Sequence, residues 1–143
     1  MTTITLDNAR TMIAVGLDRG KQLGFKPLAV VVLDAGGHLK AFEREDGASM
    51  LRFQVAHGKA YGALGMGMGS RSLAEAAETR PQFVNAINGA FGGSLIPVPG
   101  GVLVADDNGD LIGAVGVSGD VSDNDEIAAV AGIEAAGFTA ITG

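Results

Sequence analysis

From Thr5 to Leu23 the apolar positions fall at Ala9, Met12, Ile13, Gly16, Leu17 and Leu23, the three-and-four spacing that turns one helix face toward a core. Thr5 can cap the first turn, and Gly24 and Pro27 stop the helix. The period then changes. AVVVLD, Ala29 to Asp34, is a short valine-rich run bounded by turn residues and predicts a central strand, which AGGHLKAF turns back as a second strand. The same device recurs in VLVADDNGDLIGAVGV, with Asn108-Gly109 at its turn, a strong hairpin signal. Residues 33–39, LDAGGHL, and 105–111, ADDNGDL, share the pattern Asp-x-x-Gly-x-Leu without a gap. Two similar hairpins in one antiparallel sheet follow.

Helical spacing returns between the hairpins. Ser49 or Asp46 is placed to cap a segment running to about Gly65, on which Met50, Phe53, His57, Ala60, Tyr61 and Leu64 share a face. Leu51, Val55, Gly58 and Gly62 form a second face, whose glycines would let the helix approach a sheet. SLAEAAETRPQFVNAINGAF predicts one or two shorter helices broken at Pro81, and GGSLIPVPGG an irregular approach to the second hairpin. SDNDEIAAVAGIEAAGF is an amphipathic helix with acids and an amide at its start, where the helix dipole favours negative charge, and Gly137 ends it. Helix, two strands, helices, two or three strands, helix is the order of an α+β fold, a mostly antiparallel sheet flanked by helices. The length, 143 residues, is that of one domain spanning 1–143.

Composition narrows the function. Hydrophobic residues make up 47% of the chain, enough for a core and a pocket, and cysteine is absent, which excludes thiolate and disulfide chemistry. A net charge of −6 disfavours nucleic acid and anionic membranes as partners and favours a small molecule or another protein. MTTITLDNAR lacks the basic start and apolar run of a signal peptide, and no stretch reaches the ~18 apolar residues of a membrane span. A soluble, cytoplasmic protein is the expectation. GMGMGSR lacks the lysine of a P-loop, and no metal-ligand cluster is legible.

The chemistry concentrates in AHGKAYGALGMGMGSR, Ala56 to Arg71. His57 and Tyr61 lie one turn apart and form a candidate acid/base pair. Lys59 is about 200° around a regular helix from His57, so the two cannot address one atom; it reads as a surface lysine, an ion-pair partner or an anion contact. Ser70 and Arg71 follow the loose glycine run, and the guanidinium could clamp a carboxylate. The resulting picture is a pocket with a His57–Tyr61 helix wall, a mobile loop carrying Ser70 and Arg71 over the opening, and an opposite wall from Gly92, Gly93, Pro97–Gly101 and Gly116–Ser118. His38 reads as a turn residue, Met66 and Met68 as gap-fillers, and Asp120, Asp123, Asp125 and Glu126 as helix caps rather than a cation site.

AVVVLDAGGHLKAFEREDGA, the Lys59-Ala60 pair, PVPGGVLV and GDLIGAVGVSGDVSDNDEIAAVAGIEA together resemble the GlcG/HbpS family, the haem-degrading-domain family also fused to PduO-type adenosyltransferases. The likeness runs from Leu6 to Phe138. It implies a profilin-like fold, a bacterial homo-oligomer and, in some members, haem or corrinoid as ligand. Haem-binding members are expected to carry a histidine on or near the first helix; residues 5–24 contain none. The resemblance therefore implies a small-molecule-binding protein, with haem or another tetrapyrrole as ligand. A second reading is a cofactor-independent isomerase, lyase or hydrolase of a small carbonyl or carboxylate compound, with His57 as acid/base and Arg71 as anion anchor. A third is an accessory protein with a vestigial pocket. The candidate residues are His57 and Tyr61 for catalysis, and Lys59, Ser70, Arg71, Gly93, Pro97 and Ser118 for ligand binding, with no metal site.

Overall fold

A capping box starts the first helix: the Asn8 amide donates to Thr5 Oγ1 and the Thr5 amide to Asn8 Oδ1, both at 3.0 Å. In the computed structural model, which describes residues 2–143, this helix is α1, Leu6–Gln22. The hairpins follow as expected, β1 (Ala29–Asp34) with β2 (Leu39–Arg44) and β3 (Gly101–Ala105) with β4 (Leu111–Ser118). Their shared sequence pattern is a shared turn. Asp34 Oδ1 accepts from the Gly36 and His38 amides, and Asp106 Oδ1 from those of Asn108 and Asp110. Gly37 and Gly109 take φ of 79° and 81°, backbone that side-chain-bearing residues rarely adopt.

The sheet order is β2-β1-β4-β3-β5, antiparallel at every pairing. The edge strand β5, Thr139–Ile141, has no counterpart among the sequence expectations. Its three residues are too short for a legible alternation, and only the exposed edge of β3 makes them a strand.

Helices cover both faces, because the inner strands are buried on both. On one face α1 and α5 (Ser122–Ala135) pack Met12, Ile13 and Ile133 against Val30, Val32, Val102, Val115 and Val117. On the other lies α2, Arg52–Met66, with Ala56, Ala60 and Ala63 against Val31, Leu33, Leu103 and Ala114. Small residues on both sides bring this helix close: a methyl group at Gly116 would meet the Ala60 side chain at 3.0 Å and collide with the Ala56 carbonyl. The remaining helices, α3 (Ser70–Thr79) and α4 (Pro81–Ala90), break at Pro81 and share a smaller core of Leu73, Val84 and Leu95.

The start of α2 departs from expectation. Neither Ser49 nor Asp46 caps it; Leu51 is the N-cap and no side chain bonds the first turn. The sheet decides where this helix begins, through the alanine face that packs on it.

Candidate functional site

Because its alanines face the sheet, α2 turns His57 and Tyr61 to its flank, with Phe53 at the edge of the core. Met50 is 82% exposed and Tyr61 38%, while Ala56 and Ala60 are fully buried. A continuous row of rings results. Phe42 meets Phe53 edge-on at 4.8 Å, Phe53 lies 5.7 Å from His57, His57 stacks on Tyr61 at 5.3 Å and 17°, and Phe91 closes the row edge-on to Tyr61 at 5.8 Å. Burial pushes the His57 imidazole below its ordinary value of 6.5, and no charged or hydrogen-bonding neighbour contributes. Burial thus favours the neutral ring. Among the described residues neither of its nitrogens is engaged.

Two grooves lie along this row. One, of about 410 Å³, runs between Tyr61, Leu64 and Met66 of α2, Ile87 and Phe91 of the α4 end, and the turn at Gly37. The other, of about 460 Å³, lies beside Phe53 and His57 under Gly92, Gly93 and Ser94. The segment Phe91–Ile96 borders both. It rests on a glycine column of α2: Ile96 over Gly58, Leu95 over Gly62 and the Phe91 ring over Gly65. Gly58 and Gly62 therefore serve this segment's approach and not the sheet's, since the column faces away from the strands.

Lys59 lies elsewhere, on the buried side of the same helix. It is 2% exposed, and its ammonium lies beside Gly100, just before β3, at the end of the sheet. There Nζ donates to Val117 O and to Asp125 Oδ2, both at 3.0 Å. Asp125 Oδ1 accepts from the Asp120 amide at 2.9 Å. Burial pushes the Lys59 ammonium down and the Asp125 carboxyl up, each opposed by the other's charge. Both carboxylate oxygens accept bonds and the ammonium donates two, a pattern that suits the ionised pair. Ser118 belongs to the same cluster, with Arg52 donating to its Oγ at 2.9 Å. Asp125 is thus an ion-pair partner of α2 and not a helix cap.

Ser70 and Arg71 lie in a helix, and only Gly67–Gly69 of the glycine run form a loop. Ser70 opens α3, is fully buried and accepts from the Gly101 amide at 2.7 Å. Arg71 is held by two acids of α5: its Nε reaches both oxygens of Glu126, at 3.2 and 3.0 Å, and its Nη2 bonds Asp123 at 2.6 Å and Glu126 at 3.0 Å. These bonds, with Glu126 foremost, raise its already high pKa further. Asp123 and Glu126 are therefore ion-pair partners of Arg71 and not caps of α5. The groove that His57 lines contains no part of Arg71. Of the eight candidates, His57 and Gly93 line one groove, Tyr61 lines the next, and Lys59, Ser70 and Ser118 belong to the sheet-end cluster beside Gly100–Gly101. Pro97 lies on the half-buried connection before that cluster and lines neither groove.

His38 is a turn residue, with Nδ1 3.3 Å from Asp34 and an 81% exposed side chain. Met66 and Met68 fill space around the α3–α4 core. Phe91 was not legible as a site residue, since one phenylalanine after a short helix carries no periodic signal. No group of three or more metal-ligating side chains is assembled among the described residues. None of the described helices is long and apolar enough to cross a membrane.

Fold and site together define a profilin-like α+β domain with an aromatic trough on its α2 flank. The chain belongs to the family of HbpS-like haem degrading proteins, which matches residues 4–134. Its structure is similar to that of a PduOC:heme complex, with 23% identity, TM-score 0.85 and 96% and 97% of the two chains covered. It resembles protein ORFY of Klebsiella pneumoniae, at 25% identity and TM-score 0.85 over 95% and 92%. It also resembles HbpS, at 26% identity and TM-score 0.79 over 92% and 89%. No curated protein matches the sequence.

Proposed function

We propose that this protein binds a flat tetrapyrrole, haem being the ligand that its family indicates, in the trough along α2. One observation carries the reading: His57 is a half-buried imidazole whose neutral form burial favours, with both nitrogens unengaged, set in a row of aromatic rings. Those residues fit haem. An imidazole nitrogen is an axial ligand for haem iron, and Phe53, Tyr61 and Phe91 offer ring surfaces to a macrocycle. When bound, haem would supply redox chemistry at its iron. His57 would hold the iron, and the apolar wall would exclude water. With no histidine on α1 and His38 held at a turn, binding through one histidine is the expected mode. Family membership and the exposed apolar residues Met50, Leu51 and Val121 support a homo-oligomer.

An acid/base enzyme draws support from His57 alone, because Arg71 is occupied by Glu126 and Asp123 and cannot anchor a substrate anion beside it. The test is a hemin titration of wild type and His57→Ala. A Soret band of five-coordinate, single-histidine type is expected from wild type and is lost or blue-shifted in the variant. An identical band from both proteins would remove His57 from the site, and a tight bis-histidine spectrum would overturn the single-ligand mode.

A further inference from the structure

We propose that Arg52 and Ser118 form a second binding site, at the end of the sheet, which takes the carboxylate of a small molecule with an apolar body. The chain has two half-buried arginines, and their surroundings are opposite. Arg71 is matched by Glu126 and Asp123. Arg52 has no carboxylate within ion-pair distance among the described residues, and its one hydrogen bond runs from Nη1 to Ser118 Oγ, at 2.9 Å. Nothing on its own helix supplies the missing charge. The first turn of α2 contains no acid and no side chain caps it, so the positive end of the helix dipole adds to the guanidinium. The nearby Lys59 ammonium repels Arg52, and Asp125 is already taken up by Lys59.

Ser118 is the second, independent observation. It is fully buried, yet its hydroxyl only accepts: its own hydrogen has no acceptor among the described residues. A buried donor without an acceptor is costly, and an oxygen seated beside Arg52 Nη1 would receive it. Arg52 Nε and Nη2 are also unengaged, and since no buried side-chain nitrogen or oxygen lacks a partner among the described residues, they face open space. One fixed hydroxyl donor beside a planar fork with free N–H groups matches the two oxygens of a carboxylate. The neighbours along the chain are apolar: Leu51, 57% exposed, precedes Arg52, and Val121, 64% exposed, follows shortly after Ser118. Arg52 and His57 stand about 140° apart around α2. The site and the trough therefore occupy different sides of the helix, and the inference does not depend on what the trough binds.

Butyrate, its uncharged isostere butyramide and inorganic phosphate serve as probes, titrated into the protein while the Arg52 Nε–H and Ser118 amide resonances are followed by nuclear magnetic resonance. Butyrate is expected to shift both signals saturably, and butyramide neither. Arg52→Lys keeps the charge but loses the fork, and should weaken butyrate binding roughly tenfold. Ser118→Ala should weaken it roughly fivefold, each variant being read at the group that remains. Arg71→Ala should bind butyrate like wild type. Circular dichroism establishes that the variants fold; where one does not, the comparison of butyrate with butyramide on the wild-type protein still decides. No saturable shift at Arg52, an equal response to butyramide, or wild-type affinity in Arg52→Lys would overturn the site. Phosphate binding more tightly than butyrate would overturn its assignment to carboxylates.

Discussion

Replacing Lys59 by methionine removes the ammonium and nearly preserves the volume of the side chain. What remains is a carboxylate 1% exposed, with the Asp120 amide as its donor among the described residues, and the Val117 carbonyl without its Lys59 partner. Breaking a buried ion pair from one side costs about 3–5 kcal/mol, a large part of the roughly 5–15 kcal/mol that holds a domain folded. With a urea slope of about 2 kcal/mol per molar, the unfolding midpoint should fall by about 2 M. Asp125→Asn should cost a similar amount, because it strands the ammonium with one carbonyl acceptor. The double variant has no buried charge to strand, and the side-chain carbonyl of the introduced amide still accepts from the Asp120 backbone N–H. Its loss should therefore fall short of the sum of the two by at least about 2 kcal/mol, within the range of contacting pairs. Equilibrium urea unfolding of the four proteins, followed by circular dichroism, measures each midpoint and slope. Single costs below about 1 kcal/mol, or costs that simply add, would refute the reasoning that a buried ion pair at the sheet end ties α2 to α5.

Arg71→Ala should leave hemin affinity unchanged within twofold and lower stability by no more than about 1 kcal/mol, since its pairs with Asp123 and Glu126 are partly solvated; a large loss of ligand affinity would return it to the binding site. The His57 ring proton, followed by nuclear magnetic resonance, should titrate below 6.5, because burial favours the neutral form. The sign follows. The unfolded chain takes up this proton first, so the His57 contribution to stability is intact above pH 6.5 and is lost as pH falls through the folded-state value. Hemin affinity should hold down to the same window and drop below it as the imidazole becomes protonated, and a fall beginning above pH 7 would contradict the assignment.

Local chemistry was sufficient for α1, for both hairpins and for the break at Pro81, because a capping box, an Asp-x-x-Gly turn and a proline act within a few residues of themselves. The family was legible for the same reason, in contiguous motifs. His57 and Tyr61 could be placed one turn apart, but their helix could not be rotated correctly. Periodicity alone assigned them to the face that includes Ala60, whereas the flat, close contact at Gly116 selects the alanines and sends the rings to the flank. Arg71 could be recognised as a cation seeking a carboxylate, but the carboxylates that hold it lie 52 and 55 residues away. The same holds for Lys59 and Asp125, separated by 66 residues and meeting at the sheet end. Charges that meet between distant elements leave no periodic trace along the chain, since each satisfies its local pattern equally well as a surface residue. Only the packing of α2 and α5 on opposite faces of one sheet brings them together, and only the glycine column of α2 brings Phe91 over the trough.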